Sequence, residues 1–370
     1  MTRFRPCSST PYSQTERLYS SFLNINLRYT ERSMAAHFGL DIGTTSIKVL
    51  KSDGKKISSL AVAQNQSGKN LMAMSNAEKI SLVDQLKSLI KSSGVRGNTV
   101  VASIPESLVY SRVMRFPIMS TPELATAIKW ELDQSVPFPP NEVETSWVIL
   151  EKPDKIKGDE KVSVYVVAVP TNVSDAYVQL LELIGLEPVR LENEIPAVVR
   201  AFFSSLSDEN PSVIIDMGSS GTGLVLAGKE KVFGNYYLPF GGAVMTKLIA
   251  DAFNLPVTQA ESYKRTYGMD KNQLEGKVYN VLKPAIDNLV GEIKKIIVAY
   301  LNENKNSTVS KIILTGGGSY LIGLIPYLSM SLEGVEIVIG DTFSGMNVDQ
   351  KYKALGPVFA IAYGLSGEVS

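Results

Sequence analysis

The chain has 370 residues, which is enough for two domains with separate hydrophobic cores. Lys plus Arg and Asp plus Glu each number 37, so the formal net charge is zero and no overall basic field recruits nucleic acid or an anionic membrane, although a local patch stays open. The single cysteine, Cys7, excludes an intramolecular disulfide, and the single histidine, His37, excludes a metal site built from several histidine and cysteine ligands.

The first 33 residues differ in composition from the rest of the chain. They are rich in Ser, Arg, Tyr and Thr and contain no sustained apolar run. We therefore predict that 1–33 is a disordered N-terminal extension before Met34. Such an extension results when translation is assigned to a start codon upstream of the codon for Met34. A transit peptide is the alternative, against which Glu16 and Glu31 argue. No later run approaches the ~18 apolar residues that a membrane-spanning helix needs.

The segment Phe38–Leu50 reads as two β-strands joined by a tight polar turn, because apolar residues alternate on both sides of the turn. A glycine in the turn lets a ligand approach the main chain, and the following N–H groups and hydroxyls can surround an anion. A carboxylate at the strand end suits Mg²⁺ held through waters, and a lysine beyond the turn can reach a phosphate. An ordinary hairpin with a polar turn is the competing interpretation. The candidate residues are Asp41, Gly43, Thr44, Thr45 and Lys48.

The next segments predict a helix, a buried strand and a small insert. A helical period covers about Asn76–Ser92, with Asn76 as the predicted N-cap, and Thr99–Pro105 reads as a buried strand. Tyr110–Phe116 then alternates like a half-buried strand, and a proline-opened helix and another apolar strand follow it. We predict that this sheet-and-helix insert occupies about 105–165.

The second half of the chain repeats the first motif. In Val213–Leu226 an apolar strand ends at Asp216, a turn of Gly, Ser and Thr follows, and an apolar strand returns. Two such hairpins, one domain length apart, indicate two similar halves that face one ligand. A third motif, Lys311–Leu321, is a buried strand that opens into a glycine turn.

These three motifs, in this order, resemble the phosphate-1, phosphate-2 and adenosine motifs of the actin-like ATPase superfamily. The resemblance implies an α/β fold of the actin-like (ribonuclease H-like) two-domain type, with ATP and Mg²⁺ between the halves. It implies that Asp41 and Asp216 hold the metal through waters. The implied phosphate-binding residues are Gly43, Thr44, Thr45, Lys48, Gly218 and Ser219, and the implied ribose- and base-binding residues are Glu261, Lys264, Gly316, Gly317 and Ser319.

Three of the implied roles have a competing interpretation. The segment Leu191–Val199 reads as the start of a connecting helix, where Glu194 matches the acid that orients a water near the terminal phosphate; a helix N-terminal acid favoured by the helix dipole is the alternative. Glu261 and Lys264 share a helix face and could equally form a surface ion pair. Ser219 stands where actin carries a second aspartate, which leaves ATP hydrolysis open.

The insert resembles one family within this superfamily, the PilM family of type IV pilus assembly proteins. The similar segments are Ile104–Ser107, Arg115–Pro117, Glu123–Glu131 and Val136–Pro139. The division protein FtsA carries its insert at the same place, but no basic amphipathic tail follows Leu365 here, which favours the PilM family.

The resemblance also implies a domain organisation. After the extension, 34–207 would form the first actin-like domain and include the FtsA-type inserted subdomain. The second actin-like domain would be 208–354, with a helical subdomain at about 241–304. The C-terminal helix in 355–370 would return to the first domain.

The resemblance implies a cytoplasmic component of the pilus assembly machinery that reaches the inner membrane only through a partner. That partner would be the N-terminal peptide of a PilN-type membrane protein, bound in a groove for which Tyr110–Phe116 offers one wall. Contacts with other pilus-assembly proteins and self-association stay open. The alternatives are an FtsA-like filament protein and a small-molecule kinase, and the kinase would need a further carboxylate base beside an acceptor pocket.

Overall fold

The computed structural model describes residues 37–52, 56–151, 161–229, 231–305 and 307–367. The prediction for residues 1–33 therefore lies outside the described residues. Within the described ranges, no helix combines the length and the apolar character that crossing a membrane requires.

The strands of the described residues form three sheets. The first sheet has the order β3-β2-β1-β4-β8, the second β11-β10-β9-β12-β13 and the third β5-β7-β6. In chain order the strands are β1 (Phe38–Ile42), β2 (Ser46–Ser52), β3 (Ile57–Gln64), β4 (Thr99–Ile104), β5 (Tyr110–Pro117), β6 (Val143–Glu151), β7 (Lys161–Pro170), β8 (Glu187–Asn193), β9 (Ser212–Met217), β10 (Thr222–Ala227), β11 (Val232–Leu238), β12 (Lys311–Thr315) and β13 (Glu336–Ile339).

Helices cover the sheets and join them. In chain order the α-helices are α1 (Asn76–Ser93), α2 (Thr121–Ser135), α3 (Thr171–Leu183), α4 (Glu194–Ala201), α5 (Gly242–Phe253), α6 (Val257–Tyr267), α7 (Lys277–Glu303), α8 (Leu324–Ser331), α9 (Gln350–Lys353) and α10 (Ala360–Ser366).

The first two sheets share one topology. In the first sheet β1 pairs antiparallel with β2 and parallel with β4. In the second sheet β9 pairs antiparallel with β10 and parallel with β12. The two polar turns therefore occupy equivalent positions, because each joins the central antiparallel pair of its sheet. The repeat predicted from sequence is confirmed at the level of sheet topology.

Two large apolar clusters form the cores of the halves. The first includes β1, α1 and β7, and the second lies among β9, β12 and the long helix α7. The helices α4 and α10 cross in close contact, since a Cβ on Gly364 would lie 1.8 Å from the carbonyl oxygen of Ala197. A side chain at position 364 would force these helices apart.

The insert is a three-stranded antiparallel sheet with α2 packed on one face. Met114 and Phe116 of β5 pack with Leu124 and Ile128 of α2. The free edge of β5 contacts the second half, where the Val113 N–H donates to Asn235 Oδ1 at 3.1 Å. The apolar side chains of β5 thus pack on α2 and its free edge lies against the second half, and its role as one wall of a peptide groove stays a prediction.

Two predicted element boundaries are also wrong by a few residues. The N-cap of α1 is Ser75 rather than Asn76, because Ser75 Oγ accepts the Glu78 N–H and the Glu78 carboxylate accepts the Ser75 N–H at 2.8 Å. The connecting helix α4 begins at Glu194, since the preceding residues extend β8, whose Leu191 pairs with Ala102 of β4.

Candidate functional site

The first polar turn is held in place from both strands. Asp41 is almost fully buried, and its Oδ2 accepts the Lys48 ammonium at 2.8 Å while Oδ1 accepts the Ser103 hydroxyl at 3.2 Å. The Gly43 N–H donates to Ser46 O at 3.1 Å, which closes the turn. The sequence thus places Asp41 and Lys48 together because they face each other across the hairpin register.

The second polar turn contacts the start of α5. The Gly218 N–H donates to Gly221 O at 2.9 Å, and the Gly242 N–H donates to Gly218 O at 3.0 Å. A Cβ on Gly241 would lie 2.6 Å from the carbonyl oxygens of both Gly218 and Ser219. Only a residue without a side chain lets the helix start approach the turn this closely.

The two predicted ribose-binding residues lie beside this second turn. Lys264 Nζ donates to Glu261 Oε2 at 2.6 Å, to Gly242 O at 2.9 Å and to Thr246 Oγ1 at 2.9 Å. The ion pair that was the competing interpretation is therefore present. It is not a wholly solvated pair, because only 12% of the Lys264 side chain is exposed.

The glycine turn of the third motif packs against Asp216. Gly316 has φ of +76°, and a Cβ there would lie 2.6 Å from Asp216 Oδ1. The Ser319 hydroxyl donates to Gly316 O at 2.7 Å and closes the turn, whereas a Cβ on Gly317 would meet no atom within 4 Å. Position 316 thus requires glycine because the turn lies so close to Asp216, whereas Gly317 faces open space.

Acidic side chains from distant parts of the chain converge between the two turns. Burial, followed by the charges of Asp41 and Asp216, raises the pKa of Glu194 well above its usual range. Burial and the Asp41 charge raise the pKa of Asp216 to about 6. Both Glu194 and Asp216 keep a partly accessible surface. In the described residues, no three acidic, histidine or cysteine groups are placed to ligate a metal directly.

Sequence reasoning missed Glu106, which adjoins this acidic cluster. Its carboxylate accepts the Ser111 hydroxyl at 2.8 Å and the Ile195 N–H at 3.2 Å, and its own N–H donates to Glu194 Oε2 at 3.0 Å. Burial nevertheless raises the pKa of Glu106. A usable signal was present, because Glu106 follows the buried strand β4 as Asp41 ends β1.

The raised pKa of Asp216 predicts a specific pH dependence. Its pKa is about 6 in the folded chain against an ordinary value of 3.8. The folded state therefore binds more protons between these values, and the free energy of unfolding falls as pH rises through this window. Asp216→Asn should make this fall shallower and make the ligand-free protein more stable at pH 7 by about 1 to 2 kcal/mol, less than the full shift because the side chain is partly exposed. Urea unfolding at pH 4 to 8 measures the effect, and parallel pH profiles for both proteins would contradict it.

The chain is similar to one known protein family and to several solved structures. A family model described as type IV pilus assembly protein PilM matches residues 39–368. The solved PilM-PilN type IV pilus biogenesis complex matches with 27% identity and a TM-score of 0.75, covering 90% of this chain and 98% of that chain. The ethanolamine utilization protein EutJ from Carboxydothermus hydrogenoformans has 18% identity and a TM-score of 0.53, covering 89% and 88%. The MamK double helical filament has 12% identity and a TM-score of 0.51, covering 89% and 97%.

These similarities confirm the predicted α/β fold of the actin-like type. The family model extends over most of the chain, from the first strand to the last helix. The chain belongs to the family of the type IV pilus assembly protein PilM.

Proposed function

We propose that this protein is the ATP-binding, actin-like component of a type IV pilus assembly machinery. It acts in the cytoplasm and is peripheral to the inner membrane through the N-terminal peptide of a PilN-type membrane protein. The single observation that supports nucleotide binding best is the convergence of Asp41, Asp216 and Glu194 between two equivalent polar turns. The two halves of the clamp would be 34–207 and 208–354.

The residues present fit a nucleotide with its metal ion. Several carboxylates stand close enough to raise the pKa of Asp216 and Glu194, and a divalent cation would offset this crowding of negative charge. Carboxylate and hydroxyl oxygens are ligands that Mg²⁺ accepts, mainly through its waters. When bound, Mg²⁺ would neutralise phosphate charge between the two turns.

The remaining candidate residues divide between the phosphate and nucleoside ends. Lys48 is held at the strand end by Asp41 and would meet a phosphate as a point charge. Glu261 and Lys264 lie beside the second turn, within the half that also presents the third motif. The backbone groups and hydroxyls that would complete the site belong to Gly43, Thr44, Thr45, Gly218, Ser219, Gly316, Gly317 and Ser319.

Glu194 would orient the water that attacks the terminal phosphate. Its raised pKa means that it holds its proton more firmly than an ordinary glutamate in the ligand-free protein. Compensation of the charges on Asp41 and Asp216 would lower that pKa and prepare Glu194 as a base. Hydrolysis would therefore require bound nucleotide and metal ion in the cleft. Ser219 stands where actin has a second aspartate, so it supplies no further carboxylate to this reaction.

The partner proposal is supported by family membership and by the match to the PilM-PilN complex. In that complex the PilM protein is bound to PilN. The 27% identity between that protein and 90% of this chain supports a partner of the same class for this protein. Binding experiments with the purified protein would measure its contacts with other pilus-assembly proteins and its self-association.

Thermal unfolding tests the nucleotide proposal. With Mg·ATP at about 100 times its dissociation constant, the ligand should stabilise the protein by about 2.7 kcal/mol, which corresponds to a rise of about 4 °C for a chain of this size. ATP with EDTA and Mg²⁺ alone are the controls, and each should give a much smaller rise. A melting temperature that does not respond to millimolar Mg·ATP would refute the clamp.

A further inference from the structure

Strand β11 of the second half runs beside Ser111–Arg115 of β5, the first strand of the insert. Asn235 lies at the centre of this contact. Its Nδ2 donates to Ser111 O at 3.1 Å and to Ser111 Oγ at 2.9 Å, and its Oδ1 accepts the Val113 N–H at 3.1 Å. We call the contact between 231–237 and Ser111–Arg115, together with Glu151, the β11 seam.

The β11 seam continues on both sides of Asn235. Towards one end, Arg115 Nη2 donates to Phe233 O at 3.3 Å, and Lys231 pairs with Glu151 at 2.5 Å. Towards the other end, Tyr237 packs against Gly221, where an added Cβ would lie 2.1 Å from the Tyr237 hydroxyl oxygen.

Gly221 belongs to the second polar turn, which joins β9 to β10. Tyr237 therefore touches the second turn, while Asn235 on the same strand contacts the first strand of the insert. The β11 seam thus reaches from the edge of the insert to the edge of the cleft.

Glu106 connects this seam to the acidic cluster. The Ser111 hydroxyl accepts a hydrogen bond from Asn235 Nδ2 and donates a hydrogen bond to Glu106 Oε2 at 2.8 Å. On the other side, Glu106 accepts the Ile195 N–H and donates its backbone N–H to Glu194 Oε2. A continuous series of hydrogen bonds therefore runs from the cleft acid to the second half of the protein.

We propose that Glu106 is a positioning residue that couples Glu194 in the cleft to the β11 seam, so that the state of the cleft sets whether the insert is docked on the second half. The proposal rests on the nucleotide site of the proposed function and adds the regulation of that site.

Two physical features support this coupling. Glu106 is 4% exposed, so a displaced Glu194 would leave buried polar groups of its neighbours without partners, and the network would rearrange as a unit. Hydrogen-bonded interfaces of this kind switch between discrete arrangements. Asn235 makes hydrogen bonds across the seam and is itself half-buried, which suits a contact that opens and closes.

A cross-linking rate can report whether the seam is closed. Glu151→Cys and Lys231→Cys, in the full chain with Cys7→Ser, place two thiols at its exposed end, where the loss of a solvated ion pair costs little. Reaction with a short bis-maleimide is then timed without ligand and with Mg·ATP, and melting curves of the same samples report nucleotide binding. The variants compared in this background are Glu106→Gln, Ser111→Ala, Asn235→Ala and the matched control Tyr236→Phe, whose exposed side chain is the neighbour of Tyr237 on the same strand.

Without ligand, Glu106→Gln, Ser111→Ala and Asn235→Ala should each slow cross-linking at least threefold, and Tyr236→Phe should leave the rate unchanged. Mg·ATP should raise the rate at least twofold in the parent and in Tyr236→Phe, and this response should be lost in the other three. Ligand-free rates equal to the parent's in Glu106→Gln and Ser111→Ala would overturn the proposal, as would a full nucleotide response in Asn235→Ala. If melting curves show no nucleotide binding at all, the proposed function fails, and the ligand-free comparison still decides the role of Glu106.

Discussion

Asp41→Asn should abolish the Mg²⁺-dependent stabilisation by ATP and lower the melting temperature of the ligand-free protein by about 4 °C. The first effect follows from the place of Asp41 at the acidic cluster, where it raises the pKa of both Asp216 and Glu194. The second follows from Lys48, whose ammonium lies 2.8 Å from Asp41 and would remain buried without its counter-charge. Breaking such a pair costs about 3 kcal/mol, which a chain of this size shows as about 4 °C.

A double variant separates these two effects. Asp41→Asn with Lys48→Met removes both charges, and it should recover most of the lost stability because an apolar replacement of a buried pair is often close to neutral. It should not recover the response to Mg·ATP. Asp84→Asn, on the exposed face of α1, is the matched control and should keep both properties. A normal nucleotide response in the double variant would mean that Asp41 does not serve the metal.

The parts of the site that were predictable from the sequence are those fixed by local backbone. Asp41 and Lys48 face each other because a tight hairpin leaves one register, and the second turn repeats the same logic. Gly316 was recognisable because a buried strand leads directly into a glycine turn. Its φ of +76° and its contact with Asp216 explain the glycine physically.

The parts that were not predictable depend on tertiary packing. Ser111 and Asn235 are 124 residues apart, and no periodicity links them. The sequence identifies β5 as a half-buried strand, yet it does not reveal that the second half contacts the free edge of that strand. The end of β8 was misplaced for the same reason, because pairing with β4 extends the strand to the residue before Glu194.

The insert offers one feature that suits a partner peptide. A small pocket lies between α2 and β6, and Trp130 on the same helix leaves 65% of its side chain exposed. Strand β6 is also an edge of its sheet, so an extended peptide could add main-chain hydrogen bonds there. The residues that line the pocket are Lys129, Leu132, Asp133, Val136, Phe138, Pro140, Val143 and Thr145.

Phe138→Ala should weaken the binding of a PilN-type N-terminal peptide at least tenfold, since a half-buried aromatic ring in a pocket is the kind of anchor that dominates peptide affinity. Calorimetric titration of the full chain measures the affinity, and Met330→Ala, an exposed apolar residue on the other half, is the matched control. Deleting 105–165 would be a poor test, because Tyr165 belongs to the first core and the deletion would damage the fold. Unchanged affinity in Phe138→Ala would move the peptide site away from this pocket, and no binding to the unmodified chain would exclude a partner of this class.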